Sequence, residues 1–200
     1  IKESTKHNST FTMGIDISDL NNDGWLDIFS LDMKPNDEIV FKRSAGIDPY
    51  NIYNYKLDFG YHYQYARNML QLNRGHLLDS TKVAFSELGE LKGLSATDWS
   101  WNVSIADMNN DGFKDIFITN GIPRRPNDLD FTKYTSDKVS KDSVSVLEGL
   151  DQMPSGLVSN YVFQNNNGIF LNKTEDWGLE KVGCSNGALI LDLDNDGDLD

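Results

Sequence analysis

A nine-residue acidic string occurs three times in this chain, flanked by short apolar segments, and nothing else in the sequence restricts the fold so severely. The copies are Asp19-Leu20-Asn21-Asn22-Asp23-Gly24-Trp25-Leu26-Asp27, Asp107-Met108-Asn109-Asn110-Asp111-Gly112-Phe113-Lys114-Asp115 and Asp192-Leu193-Asp194-Asn195-Asp196-Gly197-Asp198-Leu199-Asp200. Each fits D-x-[DN]-x-D-G-x-x-D. With 24 Asp, 20 Asn and 16 Gly in the chain, independent placement gives on the order of a hundredth of one match, so three are not a product of composition. Ile15 and Ile17, Val103 and Ile105, and Ala188 and Ile190 alternate with other residues ahead of the strings. Ile28-Phe29-Ser30-Leu31 and Ile116-Phe117-Ile118-Thr119 follow the first two. Such segments read as β-strands. The unit is strand, acidic loop, strand.

The spacing has a chemical reason. A hard cation such as Ca²⁺ takes about six to eight oxygens at roughly 2.3–2.6 Å, from carboxylates, amide oxygens and backbone carbonyls. Side chains at positions 1, 3 and 5 of a tight loop converge on one point, and Gly at position 6 permits the turn. The carbonyl of position 7 and the Asp at position 9 complete the shell. The expected ligands are Asp19, Asn21, Asp23, Trp25 and Asp27; Asp107, Asn109, Asp111, Phe113 and Asp115; and Asp192, Asp194, Asp196, Asp198 and Asp200, with about one Ca²⁺ per loop. An EF-hand is excluded, because it needs a bidentate Glu at position 12, where this chain has Ser30 and Ile118.

The repeat extends past the loops, whose first residues lie 88 and then 85 positions apart. At the 85-residue offset Phe85 falls on Phe170, Gly93 on Gly178 and Leu94 on Leu179. Upstream, Asn68-Met69-Leu70-Gln71-Leu72-Asn73-Arg74-Gly75 resembles Tyr161-Val162-Phe163-Gln164-Asn165-Asn166-Asn167-Gly168 at an offset of 93. Each unit reads as strand, turn, strand, Gly-Leu corner, strand, acidic loop, strand. Four short antiparallel strands per repeat predict an all-β β-propeller.

On these residues the chain resembles the FG-GAP/VCBS repeat family, whose blades carry this loop, as in the propeller of integrin α-subunits. His62-Tyr63-Gln64-Tyr65, Arg67 to Asn73, Thr97-Asp98-Trp99-Ser100-Trp101, Asn127-Asp128-Leu129-Asp130-Phe131 and Met153-Pro154-Ser155-Gly156 are similar to bacterial surface proteins related to cartilage acidic protein. The resemblance implies calcium-holding blades and a binding role in place of catalysis.

The expected organisation is one propeller domain over residues 1–200: a blade part at 1–32, an insertion at 33–60, a blade at 61–120, an insertion at 121–159 and a truncated blade at 160–200. A propeller closes with about four to eight blades, so the chain reads as a fragment of a larger one. Acidic residues outnumber basic ones 31 to 18, for a net charge of −13. No basic stripe exists to neutralise phosphates, which excludes nucleic acid as a partner. Loops of moderate calcium affinity fill at extracellular concentrations, so a secreted or cell-surface location is expected, at the outer-membrane surface if the source is bacterial. No segment is long and apolar enough to span a membrane. The lone Cys184 reads as a packed thiol.

The two insertions exceed ordinary turns and are expected to help form a partner-binding face. The second has helical spacing at Val139, Val146, Leu147 and Leu150, with Asn127 or Asp128 as cap. Alternating Tyr61, Tyr63 and Tyr65 read as one face of a half-buried strand, with a sugar-stacking platform as the other reading. Arg124 and Arg125 could clamp a carboxylate or form an exposed pair. His7, His62 and His76 are scattered, without zinc or catalytic spacing. The function expected is a non-catalytic, calcium-stabilised scaffold for protein–protein interaction. The alternatives are a glycan-binding component of a surface polysaccharide-uptake system, or the propeller of a carbohydrate-active enzyme.

Overall fold

The computed structural model describes residues 3–46, 48–76, 83–138 and 146–199. Two four-stranded antiparallel sheets dominate. The first orders β2 (Gly14–Ser18), β3 (Asp27–Leu31), β5 (Met69–His76) and β6 (Val83–Glu87) side by side. The second orders β7 (Ser100–Ala106), β8 (Asp115–Asn120), β11 (Tyr161–Asn166) and β12 (Ile169–Asn172). Two small pairs complete the strands: β1 (Asn8–Ser9) lies parallel to β4 (Gln64–Tyr65), and β9 (Ile122–Arg124) antiparallel to β10 (Ser155–Gly156). In each sheet the acidic loop joins the first strand to the second, and the long segment joins the second to the third. The insertions at 33–60 and 121–159 therefore run inside a sheet, and the unit 61–120 straddles both sheets.

The register corrects one expected alignment. Ile28 of β3 faces Gln71, and its counterpart Ile116 of β8 faces Phe163. Gln71 thus corresponds to Phe163 and not to Gln164, one residue from the offset of 93. The slip matters because it exchanges the two faces of a strand. The 85-residue offset fits the pairing: Phe85 lies opposite Asn73, and Phe170 opposite Asn165. Asn167 and Gly168, at φ 51° and 80°, make the two-residue turn between β11 and β12, the Asn-Gly pair a hairpin of this twist favours.

Strand alternation supplies the core. Asp27, Phe29 and Leu31 of β3 point inward while Ile28 and Ser30 are only half-buried. Leu20, Phe29, Leu31 and Leu70 meet Val103, Ile116, Ile118 and Phe163 in one cluster shared by the two sheets. Burying each of these side chains stabilises by about 1.5–3 kcal/mol. Gly14 sets how closely β2 approaches β7, since a Cβ there would lie 2.6 Å from the Trp101 carbonyl oxygen. Gly14→Ala should cost about 1–3 kcal/mol by overpacking, read as a lower urea midpoint; an unchanged midpoint would mean the two strands can part freely.

The third copy differs. No strand forms at Ala188 or Ile190, and Leu189 and Leu193 are exposed. In the other two copies the strand before the loop pairs with the strand after it.

Among the described residues four helices lie in the insertions: α1 (Glu38–Arg43) and α2 (Tyr50–Asp58) in the first, α3 (Leu129–Lys138) and α4 (Val146–Asp151) in the second. Asp128 caps α3 as expected, its Oδ1 accepting the Phe131 N–H at 2.9 Å. Val139 lies outside the described residues. The first pair of helices was not expected, although Asp37 caps Val40 N–H at 2.9 Å and Glu38 pairs with Lys42 one turn on. The half-buried strand expected at Tyr61, Tyr63 and Tyr65 is absent. All three are exposed, and only Gln64–Tyr65 finds a partner strand, so the alternation upstream has no sheet face to bury. Cys184 is exposed as well, in the segment without strands, and not packed.

Candidate metal centre

The three acidic loops fold alike. Asp19 accepts two backbone N–H groups of its own loop, from Asp23 at 3.1 Å and Gly24 at 2.8 Å. Asp107 does the same with Asp111 and Gly112, and Asp192 with Asp196 and Gly197. Position 3 accepts the N–H of position 5, and position 5 accepts the N–H of position 7, in every copy. These bonds gather the side chains of positions 1, 3 and 5 on one side of the turn. In the third loop, Asp192, Asp194 and Asp196 each present an oxygen within 4.8 Å of the others. This carboxylate triplet could hold a metal ion. The first two loops hold Asn21 and Asn109 at position 3, whose Nδ2 donates to Asp23 and Asp111 at 2.9 Å.

The ninth residue stands apart from this exposed cluster. Asp27 is fully buried and accepts the N–H of Leu20 at 2.9 Å and of Asn73 at 2.8 Å. Asp115 is equally buried and accepts those of Met108 at 3.2 Å and Asn165 at 2.8 Å. Burial pushes both carboxyls above the ordinary Asp value, the two amide bonds oppose it, and the neighbouring loop carboxylates, Asp23 and Asp19 or Asp111 and Asp107, add to it. Asp27 and Asp115 are thus each a clasp between the loop and the third strand of the sheet, near enough to the cluster to feel its charge. A cation would relieve that repulsion. Asp111 is held low, chiefly by the Phe113 N–H and then by Asn109. The side chain of Asp200 lies outside the described residues.

Sequence reasoning missed position 4. Asn22, Asn110 and Asn195 adopt φ of 57°, 57° and 62°, a left-handed conformation that Asn tolerates better than most residues. Their presence in all three copies was the available signal. Two of them also reach outward: Asn22 Nδ2 donates to the Gly112 carbonyl at 2.9 Å, and Asn110 Nδ2 to Asp198 Oδ1 at 2.7 Å. Each loop therefore touches the next.

Elsewhere, Arg125 does clamp a carboxylate, but an internal one. It is buried and its Nη2 donates to both oxygens of Asp98 at 2.8 Å, while Arg124 donates to the Met153 carbonyl. Comparison of the chain with family models, with curated proteins and with solved structures finds no match.

Proposed function

We propose that this chain is part of a calcium-stabilised β-propeller of the FG-GAP/VCBS type, located outside the cell or on its surface, and that it serves as a non-catalytic scaffold for a protein partner. The three identically folded acidic loops carry the reading. Asp19, Asn21 and Asp23, Asp107, Asn109 and Asp111, and Asp192, Asp194 and Asp196 would hold Ca²⁺, with the carbonyls of Trp25, Phe113 and Asp198 and the ninth Asp available to complete each shell. The ion would supply charge neutralisation; the chain supplies the preformed turn. Extracellular calcium is abundant enough to fill such loops, which supports the location.

The insertions support the binding role, because they come together. Ala45 N–H donates to the Asn127 carbonyl at 2.7 Å, and Arg43 pairs with Asp128 at 3.2 Å and Asp130 at 3.1 Å. Within the insertions Ile39, Tyr55, Phe59 and Leu129 are exposed, apolar groups of the kind that mark interaction surfaces. The calcium-loaded chain, immobilised, should retain one protein in stoichiometric amount from a surface extract. The Ile39→Asp/Phe59→Asp variant should lose that protein; retention by the variant removes the insertions from the interface. Glycan binding is the second reading, favoured by a cleft beside α2.

A further inference from the structure

That cleft runs between the first insertion and the segments that carry the small β1–β4 pair. Its open part encloses about 720 Å³, within the range of roughly 300–1,000 Å³ found for small-molecule sites. Phe41 of α1, Tyr50 and Tyr53 of α2 and Tyr65 of β4 line it. A narrower recess of about 130 Å³ adjoins the open part and shares Lys34, Phe41, Gly46 and Ala66 with it. Trp99 and Asn127 stand in the wall of the recess.

Four buried side-chain polar atoms have no hydrogen-bond partner among the described residues, and three of them belong to residues that line the open part or the recess: Nε of Arg67, Nε1 of Trp99 and Oδ1 of Asn127. The contrast with Trp101 is direct, since its Nε1 donates to the Gly121 carbonyl at 2.8 Å. A buried group left unpaired costs about 1–3 kcal/mol. Such a concentration in one cleft marks a place where bonds are completed by something that enters it.

The walls also say what enters. The cations Arg67 and Lys34 are already paired: Arg67 bonds Glu87 at 2.9 Å and Glu90 at 2.8 Å, and Lys34 lies 3.6 Å from Glu90. Asp48 pairs with Lys56, and Asp32, in the wall of the recess, is taken up by the Ser9 hydroxyl and the N–H groups of Thr10, Phe11 and Met33. The net charge of −13 repels anions. The occupant must accept from Trp99 and Arg67 and donate to Asn127. A hydroxyl does both. Tyr53 stacks on Tyr65 with ring centres 6.2 Å apart, and Tyr50 is 81% exposed, so aromatic faces border the open part, where the C–H face of a sugar ring can lie. A peptide main chain spreads its donors and acceptors along an extended edge and wants a strand beside it, whereas the strand in these walls, β4, is two residues long.

We infer that this cleft binds a neutral carbohydrate chain, with ring stacking on Tyr50 and Tyr53 and hydroxyls in the recess completing the bonds of Trp99 and Asn127. The inference does not depend on whether the acidic loops hold calcium. The full chain is titrated by calorimetry with maltohexaose, cellohexaose, xylohexaose and mannohexaose, with tryptophan emission recorded in parallel. At least one is expected to bind at one site and change the emission. Trp99→Phe keeps the aromatic bulk but removes the N–H, and should weaken that binding about tenfold. Tyr53→Ala, at a half-buried position in a helix flank, should weaken it severalfold with the melting temperature retained. The inference is overturned if none of the four sugars binds at millimolar concentration, or if both variants bind as tightly as the parent. An extended peptide library that binds where the sugars do not overturns it in favour of a peptide cleft.

Discussion

Asp27→Ala is expected to cost roughly 3–5 kcal/mol in chelator, where no cation can contribute, because it strips the acceptor from two buried amides at about 1–3 kcal/mol each and leaves a small cavity. The residue is fully buried between Leu20 N–H and Asn73 N–H. A folded domain holds only about 5–15 kcal/mol in reserve, so the urea midpoint should fall by a large fraction. Asp27→Asn should recover only part of the loss, because an amide has one acceptor oxygen and its NH₂ would face a second N–H donor. Asp23→Ala, at an exposed position in the same loop, should move the midpoint far less under those conditions. If Asp27→Ala unfolds at the parental midpoint, the clasp is not what secures β3 to β5.

The second large effect is the difference in melting temperature between Ca²⁺ and chelator. A site filled at one hundred times its Kd stabilises by about 2.7 kcal/mol, which in a chain of this size raises the melting temperature by roughly 5–10 °C. Several filled loops should add to one another. Asp111→Ala should subtract one site's share and leave the chelator value nearly unchanged, since Asp111 is exposed and its partners lie in its own loop apart from a long contact with Gln164. Equal melting temperatures in the two buffers would make the loops hydrated Asx turns and remove calcium from the proposal.

Much of the local structure was legible because it is periodic. The φ of 73° at Gly93 and 74° at Gly178, and the matching bonds from Leu94 to Gly89 and from Leu179 to Thr174, show the same corner at both ends of the 85-residue offset. The acidic loops were legible because Asp, Asn and Gly at fixed positions have few other uses. What was not legible is pairing at a distance. Local similarity placed Gln71 on Gln164, but the hydrogen bonds from Asn73 to Asp27 and from Asn165 to Asp115 fix the register, and no string of residues displays them. The helices at 38–43 and 50–58 carry no apolar stripe; neither has a buried residue. Periodicity, the main helix signal, was therefore absent.

The contacts from Asn22 to Gly112 and from Asn110 to Asp198 string the three loops together, with the second touching both others. A hydrogen bond steadies its donor and its acceptor alike. Disorder in the middle loop should therefore reach both neighbours, whereas disorder starting in an outer loop should reach the far one through the middle.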